Sequence, residues 1–352
     1  MPELLPLWGI IEKESAAYYI AKARDAGVTR LIGPRDPEVV SQAQDAGMQV
    51  HPYVAASPYP THGARSVGYT WSVNYISFDP ATPEARRKLD EHRPIYTGPV
   101  MGEPSVDAFA EAHPEYWSKT RDGGTTLDYS KRLCLSPLHQ EVREDQIASL
   151  VAALTESQGS GVQVEYTDGA EDATQLLRCG YDEPLVERFK AEHGGDPFAL
   201  PADDPEWLQF RASIVTPLLV QAKAAIAATD PSAVFSATVI TAEPDGYLRK
   251  GTNWADWIDA GALDEMHIWF REENDLAVIE RQLQHAVSVV AGRVPLVVEL
   301  SCYHAGSLQR HEQLMDAARL ALANGADAVG IYRHHAVDQL GLWDTLAEIG
   351  RL

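Results

Sequence analysis

The residues of this chain best suited to chemistry are carboxylates at the ends of apolar runs. Glu299 closes VPLVVEL, Glu165 stands near the end of VQVEYTDG, and Asp168 follows it in a Thr-Asp-Gly step. A charged Glu after five apolar or Pro residues is costly to bury unless it is paired or lies at a mouth. Two carboxylates opposed across a cleft are what glycosidic bond cleavage requires: one protonates the leaving oxygen, the other attacks the sugar carbon or activates water. Polar and aromatic residues close the other runs, and Trp8, His51, Tyr53, His267, Trp269, Arg271, Tyr303, Arg333 and His334 form the expected substrate-binding set. Aromatic faces suit sugar rings; Trp71 and Tyr332 are further candidates.

Plainer roles stand beside these. Glu299 could pair with Arg333 or Arg271, Glu165 could hold an ion pair inside the fold, and the step around Asp168 could be only a turn. His267 reads better as a hydrogen-bonded wall residue than as a general base. His334 and His335 are adjacent at a strand end, where neighbours point to opposite faces, so no metal site is expected. No cofactor is expected either.

The elements that must position these residues announce themselves by a recurring phrase. Helical residues run into a small-residue and Gly stop, and a β-rich run follows at once. Gly27, Gly47, Gly161, Gly261, Gly292 and Gly325 are the stops, and Asp230-Pro231 is a seventh made by proline. Glycine suits a helix terminus because it takes positive φ without a Cβ clash. With an opening run LPLWGII, the pattern predicts eight strands near 5–11, 28–33, 48–54, 162–167, 233–240, 264–270, 294–300 and 327–332. Helical stretches such as Ser15–Asp25, Glu141–Thr155, Trp207–Ala228, Asp275–Val290 and Gln309–Ala323 separate them. Alternating strands and helices argue for a parallel sheet, and near-continuous apolar strands argue that both faces are covered. The expected fold is a (β/α)8 TIM barrel, an α/β class, formed by residues 1–352 as one domain. An open doubly wound sheet is the runner-up, without a G-x-G-x-x-G after the first strand to support it.

Two long insertions break the rhythm: a lid-like one at 55–104 after strand three and another at 169–205 after strand four. Both follow strands and so belong over the C-terminal face, where barrel enzymes work.

Bulk composition narrows the partners. With 29 Lys and Arg against 51 Asp and Glu, the formal charge is −22, a surface that repels phosphate backbones. No run approaches the roughly 18 consecutive apolar residues of a membrane helix, and no membrane partner is expected. Cys134, Cys179 and Cys302 lack disulfide or zinc spacing and fit a reducing compartment. No basic region precedes the short apolar run at the N-terminus, so a cytoplasmic location is expected. Carbohydrate is the expected partner, and oligomerisation stays open.

Six segments, spanning residues 115–270, carry a resemblance. They are EYWSKTRDGG, LCLSPLHQEVREDQIASLV, VQVEYTDG, GYDEPLVERFKAEHG, WLQFRASIVTPLLVQAKAAI and WADWIDAGALDEMHIWF. In this order and spacing the chain resembles the glycosyl hydrolase-like 10 family of barrel proteins. The resemblance implies a TIM barrel and a glycoside hydrolase. In that family strand four reads Val-Asp-Gly-apolar-x-x-Asp-Tyr, and its last Asp, thought to be functional, corresponds to Asp168. The chain departs from the pattern at Gln163-Val164, where the family has Asp-Gly, and at Gly169, where it has an aromatic. The layout is also similar to that of retaining barrel glycosidases, with an acid after strand four and a nucleophile on strand seven. That likeness implies Asp168 as proton donor, Glu165 as its alternate, Glu299 as nucleophile or base, and retention of configuration. Two other readings remain open: a metal-dependent sugar isomerase or lyase, and a barrel that binds carbohydrate without cutting it.

Overall fold

The apolar runs become strands that can satisfy their backbone groups only by pairing, and here they pair all the way round. The computed structural model describes residues 4–9, 11, 13–55, 109, 112–124, 135–166, 179–240, 248–271, 273–303 and 306–352. The strands are β1 (Pro6–Trp8), β2 (Arg30–Gly33), β3 (Gln49–Ala55), β4 (Gly161–Tyr166), β5 (Val234–Val239), β6 (Glu265–Phe270), β7 (Leu296–Ser301) and β8 (Ala328–Tyr332). Each is parallel to the next, and β8 returns to β1, closing a (β/α)8 barrel. Every expected strand is present, the first being shorter than its apolar run.

The helices between them are α1 (Ala16–Asp25), α2 (Pro37–Asp45), α3 (Gln140–Ser157), α4 (Glu183–His193), α5 (Pro205–Ser213), α6 (Val215–Thr229), α7 (Trp254–Asp259), α8 (Leu276–Val290), α9 (His311–Ala323), α10 (His334–Gln339) and α11 (Trp343–Ile349). Side chains alternate along a strand. On β7, Leu296, Val298 and Leu300 join the main apolar core, and Glu299, one residue out of phase, faces the barrel interior. The helices supply matching stripes: Ile279, Leu283, Ala286 and Val290 from α8, and Leu314, Ala317, Ala318 and Ala321 from α9. By composition the stretch Pro205–Thr229 is apolar enough to cross a membrane. Here Val215, Leu219, Ala222 and Ile226 of α6 are buried in the main core instead.

Five of the expected stops, Gly27, Gly47, Gly261, Gly292 and Gly325, have φ between 63° and 99°, as the helix-to-strand turns require. Gly161 does not act as a stop. Helix α3 ends at Ser157, and Gln158 takes the left-handed position at φ 59°. Gly161 opens β4, where a Cβ would lie 2.5 Å from the Val234 carbonyl oxygen and 2.6 Å from His51 Nε2. It is small because the interior is crowded there.

Apart from Ala55, which ends β3, the expected insertion at 55–104 lies outside the described residues, as does the functional candidate Trp71. Within 169–205, α4 packs Leu185, Val186 and Phe189 against Tyr181 and against Trp207 and Phe210 of α5, a separate apolar cluster beside the barrel.

Candidate active site

The barrel interior holds a chain of charges rather than a plug of aliphatic side chains. At its N-terminal end Arg30 opens β2, Gln49 opens β3 and Glu265 opens β6. Arg30 meets Glu265 with two bonds, Nη1 to Oε2 at 2.5 Å and Nη2 to Oε1 at 3.1 Å. Its Nε and Nη2 also donate to Gln49 Oε1, at 3.1 and 2.8 Å. Two residues further along β6, His267 Nε2 lies 3.3 Å from the same Glu265 Oε2. His267 Nδ1 lies 2.6 Å from Glu299 Oε1 on β7.

Glu299 Oε1 gathers three more donors: Trp8 Nε1 at 2.7 Å, Gln163 Nε2 at 3.2 Å and Thr238 Oγ1 at 3.2 Å. Gln163 also donates to Thr238. Four elements therefore converge on one carboxylate oxygen. The other, Oε2, is buried and has no hydrogen-bond partner among the described residues. A neutral ring donates from one nitrogen only, so His267 donates to Glu265 and Glu299 together only when it carries both ring protons. Burial opposes that charge, but the hydrogen bonds to Glu265 and Glu299 outweigh it and hold the imidazolium above its usual range. Burial likewise opposes ionisation of Glu265, and His267 and Arg30 together hold it well below the usual carboxylate range. The interior thus alternates in sign from Arg30 through Glu265 to His267, which in turn bonds Glu299.

An aromatic layer covers this chain toward the C-terminal ends of the strands. Trp8 lies 5.2 Å from Tyr53 and 5.8 Å from Tyr332, ring centre to ring centre. Tyr332 continues to Trp269 at 4.4 Å and to Tyr303 at 5.9 Å. The Arg333 guanidinium stands 5.3 Å from the Tyr303 ring centre and 5.8 Å from that of Tyr332, and Arg271 stands 5.8 Å from Trp269. Such distances permit cation–π attraction.

The structure brings Glu299, Trp8, Tyr53, Trp269, Tyr303, Arg271 and Arg333 together at this end of the barrel. Glu165 is half-buried on β4, in register with Thr238. Asp168 lies outside the described residues. Three residues expected in the sugar-binding set lie off the aromatic layer. His267 is fully buried beneath the aromatic layer and bonds Glu299 rather than facing the mouth. His51 is also fully buried, two residues below Tyr53, with neither ring nitrogen hydrogen-bonded among the described residues. Burial, then Arg30, push its pKa well down, so it is neutral. His334 faces away from the interior, with its ring edge-on to Tyr19 of α1 at 4.5 Å. Burial, then Arg333, press its pKa to about 3. The chain enters α10 directly after Arg333, so His334 and His335 begin a helix instead of extending a strand, and their rings lie 5.1 Å apart. The pairing of Glu299 with Arg333 or Arg271 gives way to the four donors described above.

Sequence reasoning missed Arg30, Glu265 and Thr238 as site-supporting residues. Glu265 had a usable signal: it is two residues before His267 and hence on the same strand face. Gln163 was noticed only as a departure from the family pattern. Its place beside Glu299 gives that departure a physical meaning, since an amide can donate to Glu299 where a carboxylate would repel it.

The comparisons with known proteins agree with this architecture. The sequence profile of the glycosyl hydrolase-like 10 family matches residues 84–308, more than half of the chain. No curated protein sequence matches the chain significantly. Among solved structures, the catalytic domain of β-amylase from Paenibacillus polymyxa superposes with a TM-score of 0.63 at 11% identity, over 95% of this chain and 93% of that one. The PgaB (BpsB) glycoside hydrolase domain from Bordetella bronchiseptica gives 0.57 at 12% identity, over 98% and 99%. The β-galactosidase from Marinomonas ef1 gives 0.60 at 9% identity, with 94% of this chain covering 54% of that one. At such identities the likeness speaks for the barrel alone.

Proposed function

The chain belongs to the glycosyl hydrolase-like 10 family, and from that premise we propose that it hydrolyses glycosidic bonds of an oligo- or polysaccharide. One observation carries the reading. Glu299 is a buried carboxylate with one oxygen held by four donors and the other without a partner among the described residues, directly beneath an aromatic layer. Trp8, Tyr53, Trp269 and Tyr303 offer ring faces to sugars, and Arg271 and Arg333 orient hydroxyl groups.

In this account Glu299 Oε2 attacks the anomeric carbon as the bond to the leaving oxygen breaks. Asp168 gives its proton to that oxygen, with Glu165 as the alternate donor. Water, deprotonated by the same acid in its basic form, then hydrolyses the glycosyl ester and restores Glu299. Four donors hold Oε1 in place and leave Oε2 to attack. Because Glu299 is fully buried, a sugar reaches Oε2 only after the side chains that cover it give way.

The test is a screen of aryl glycosides and natural glycans with wild type beside Asp168→Asn, Glu165→Gln and Glu299→Gln. The anomer first released, read by proton NMR, decides stereochemistry. Retention corresponds to carboxyl groups ~5–5.5 Å apart and inversion to ~6.5–9.5 Å. The burial of Glu299 favours one second reading, a barrel that holds carbohydrate without cutting it. It predicts glycan affinity with no products after prolonged incubation.

A further inference from the structure

The family pattern and the two-carboxylate reaction leave Arg30, Glu265 and His267 without a task, yet these three occupy the centre of the barrel. Burying an Arg, a Glu and an imidazolium is expensive compared with an aliphatic filling. The expense has an evident consequence at only one end of the chain, Glu299. Resting on the hydrolase reading above, we propose that Arg30, Glu265 and His267 form a positioning device that pins Oε1 of Glu299 and thereby assigns Oε2 as the reacting atom.

The geometry fixes the direction of the effect. His267 joins two carboxylates on adjacent strands, 2.6 Å from Glu299 and 3.3 Å from Glu265. It can donate to both only as the cation. The groups facing it from each side are few. Glu299 comes from β7, Glu265 from its own strand β6, and Arg30 from β2, behind Glu265. His51 on β3 also acts on it and is neutral. Gln163 on β4, Thr238 on β5 and Trp8 on β1 reach Glu299 without carrying charge. Removing the charge of Glu265 therefore weakens the His267 cation, and losing that cation loosens Glu299. Arg30 balances Glu265 by two hydrogen bonds, so Glu265 remains an anion in the interior. His267 acts through Glu299 and does not touch substrate, which makes it a positioning residue.

Two readouts test the device on the full chain. Ring nitrogen NMR of 15N-histidine-labelled protein, with His267 assigned by its absence in His267→Gln, should show an imidazolium at neutral pH. In Glu265→Gln, which keeps the side chain's shape, its midpoint should fall by about one unit or more, the effect of removing an adjacent opposite charge. On the aryl glycoside that wild type cleaves fastest, the alkaline limb of kcat should follow the His267 midpoint and move down by the same amount in Glu265→Gln. His267→Gln should lower kcat by about 10²-fold while KM stays nearly constant, the signature of a misplaced reacting group. A neutral His267 at neutral pH overturns the proposal, as does a midpoint that Glu265→Gln leaves in place. An alkaline limb that stays put while the midpoint moves overturns it too. Full turnover by Glu299→Gln is a different result. It would remove Glu299 from the reaction and refute the hydrolase assignment, while the NMR titration would still decide whether the charge chain exists.

Discussion

Replacing Arg30 by Met tests the energetics of the barrel interior. The Arg30 side chain is 4% exposed and that of Glu265 is 10% exposed. Arg30→Met removes both bonds to Glu265 and both bonds to Gln49, and leaves Glu265 with His267 as its counter-charge. Breaking one side of a buried ion pair costs about 3–5 kcal/mol, because the remaining charge loses its compensation. Unfolding entropy of about 2.1 cal/mol/K per residue over 352 residues converts this to a Tm lower by roughly 4–7 °C. The double variant Arg30→Met, Glu265→Leu removes both charges and should recover most of the loss, since an apolar replacement of a buried pair is often close to neutral. Differential scanning calorimetry of the wild type, both single variants and the double variant at pH 6 completes the cycle. A single-variant loss below ~1 kcal/mol, or a double variant that loses the sum of the two singles, would refute a coupled buried pair.

Four further outcomes follow from the same structure. Because the His267 pKa is raised in the native state, its stabilisation is complete below the ordinary value of 6.5 and fades as pH rises through the native value. The Tm advantage of wild type over His267→Gln should therefore be largest below pH 6.5 and shrink on the alkaline side. His334 has the opposite sign. Its pKa is depressed to about 3, so its contribution is present above 6.5 and is lost as pH falls toward 3, and His334→Phe should blunt that acid-side decline in Tm. Gly161→Ala places a methyl 2.5 Å from the Val234 carbonyl oxygen and 2.6 Å from His51 Nε2, and overpacking of this kind should cost about 1–3 kcal/mol by urea denaturation. Gln163→Glu replaces a donor to Glu299 by a second carboxyl, so the acid limb of the pH–rate profile should move up by about one unit or more.

The strands after the first are legible in sequence because two independent signals coincide at each: a helix stop and an apolar run. Where one signal was ambiguous the reading slipped. The polar SQGSG segment contains two glycines, and the left-handed turn is taken by neither but by Gln158. Glu299 was legible as a charge that an apolar strand could not bury cheaply. Its partners were not, because Trp8 is 291 residues away in sequence and Gln163 is 136, and only the register of a closed barrel brings them together. Arg30 and Glu265 begin their strands, where a charged residue reads as an exposed edge; that both turn inward depends on each having the other. The direction of His334 was not legible, because nothing in Tyr-Arg-His-His marks the change from strand to helix after Arg333.

The central claim is that the Glu299 carboxylate takes part in breaking a glycosidic bond. Its most direct test measures the turnover of wild type and Glu299→Gln on the glycan that wild type cleaves best, with calorimetry on the same samples to establish that both are folded. Wild type should give product, and a folded Glu299→Gln none above background. Equal turnover by the two proteins would contradict the claim.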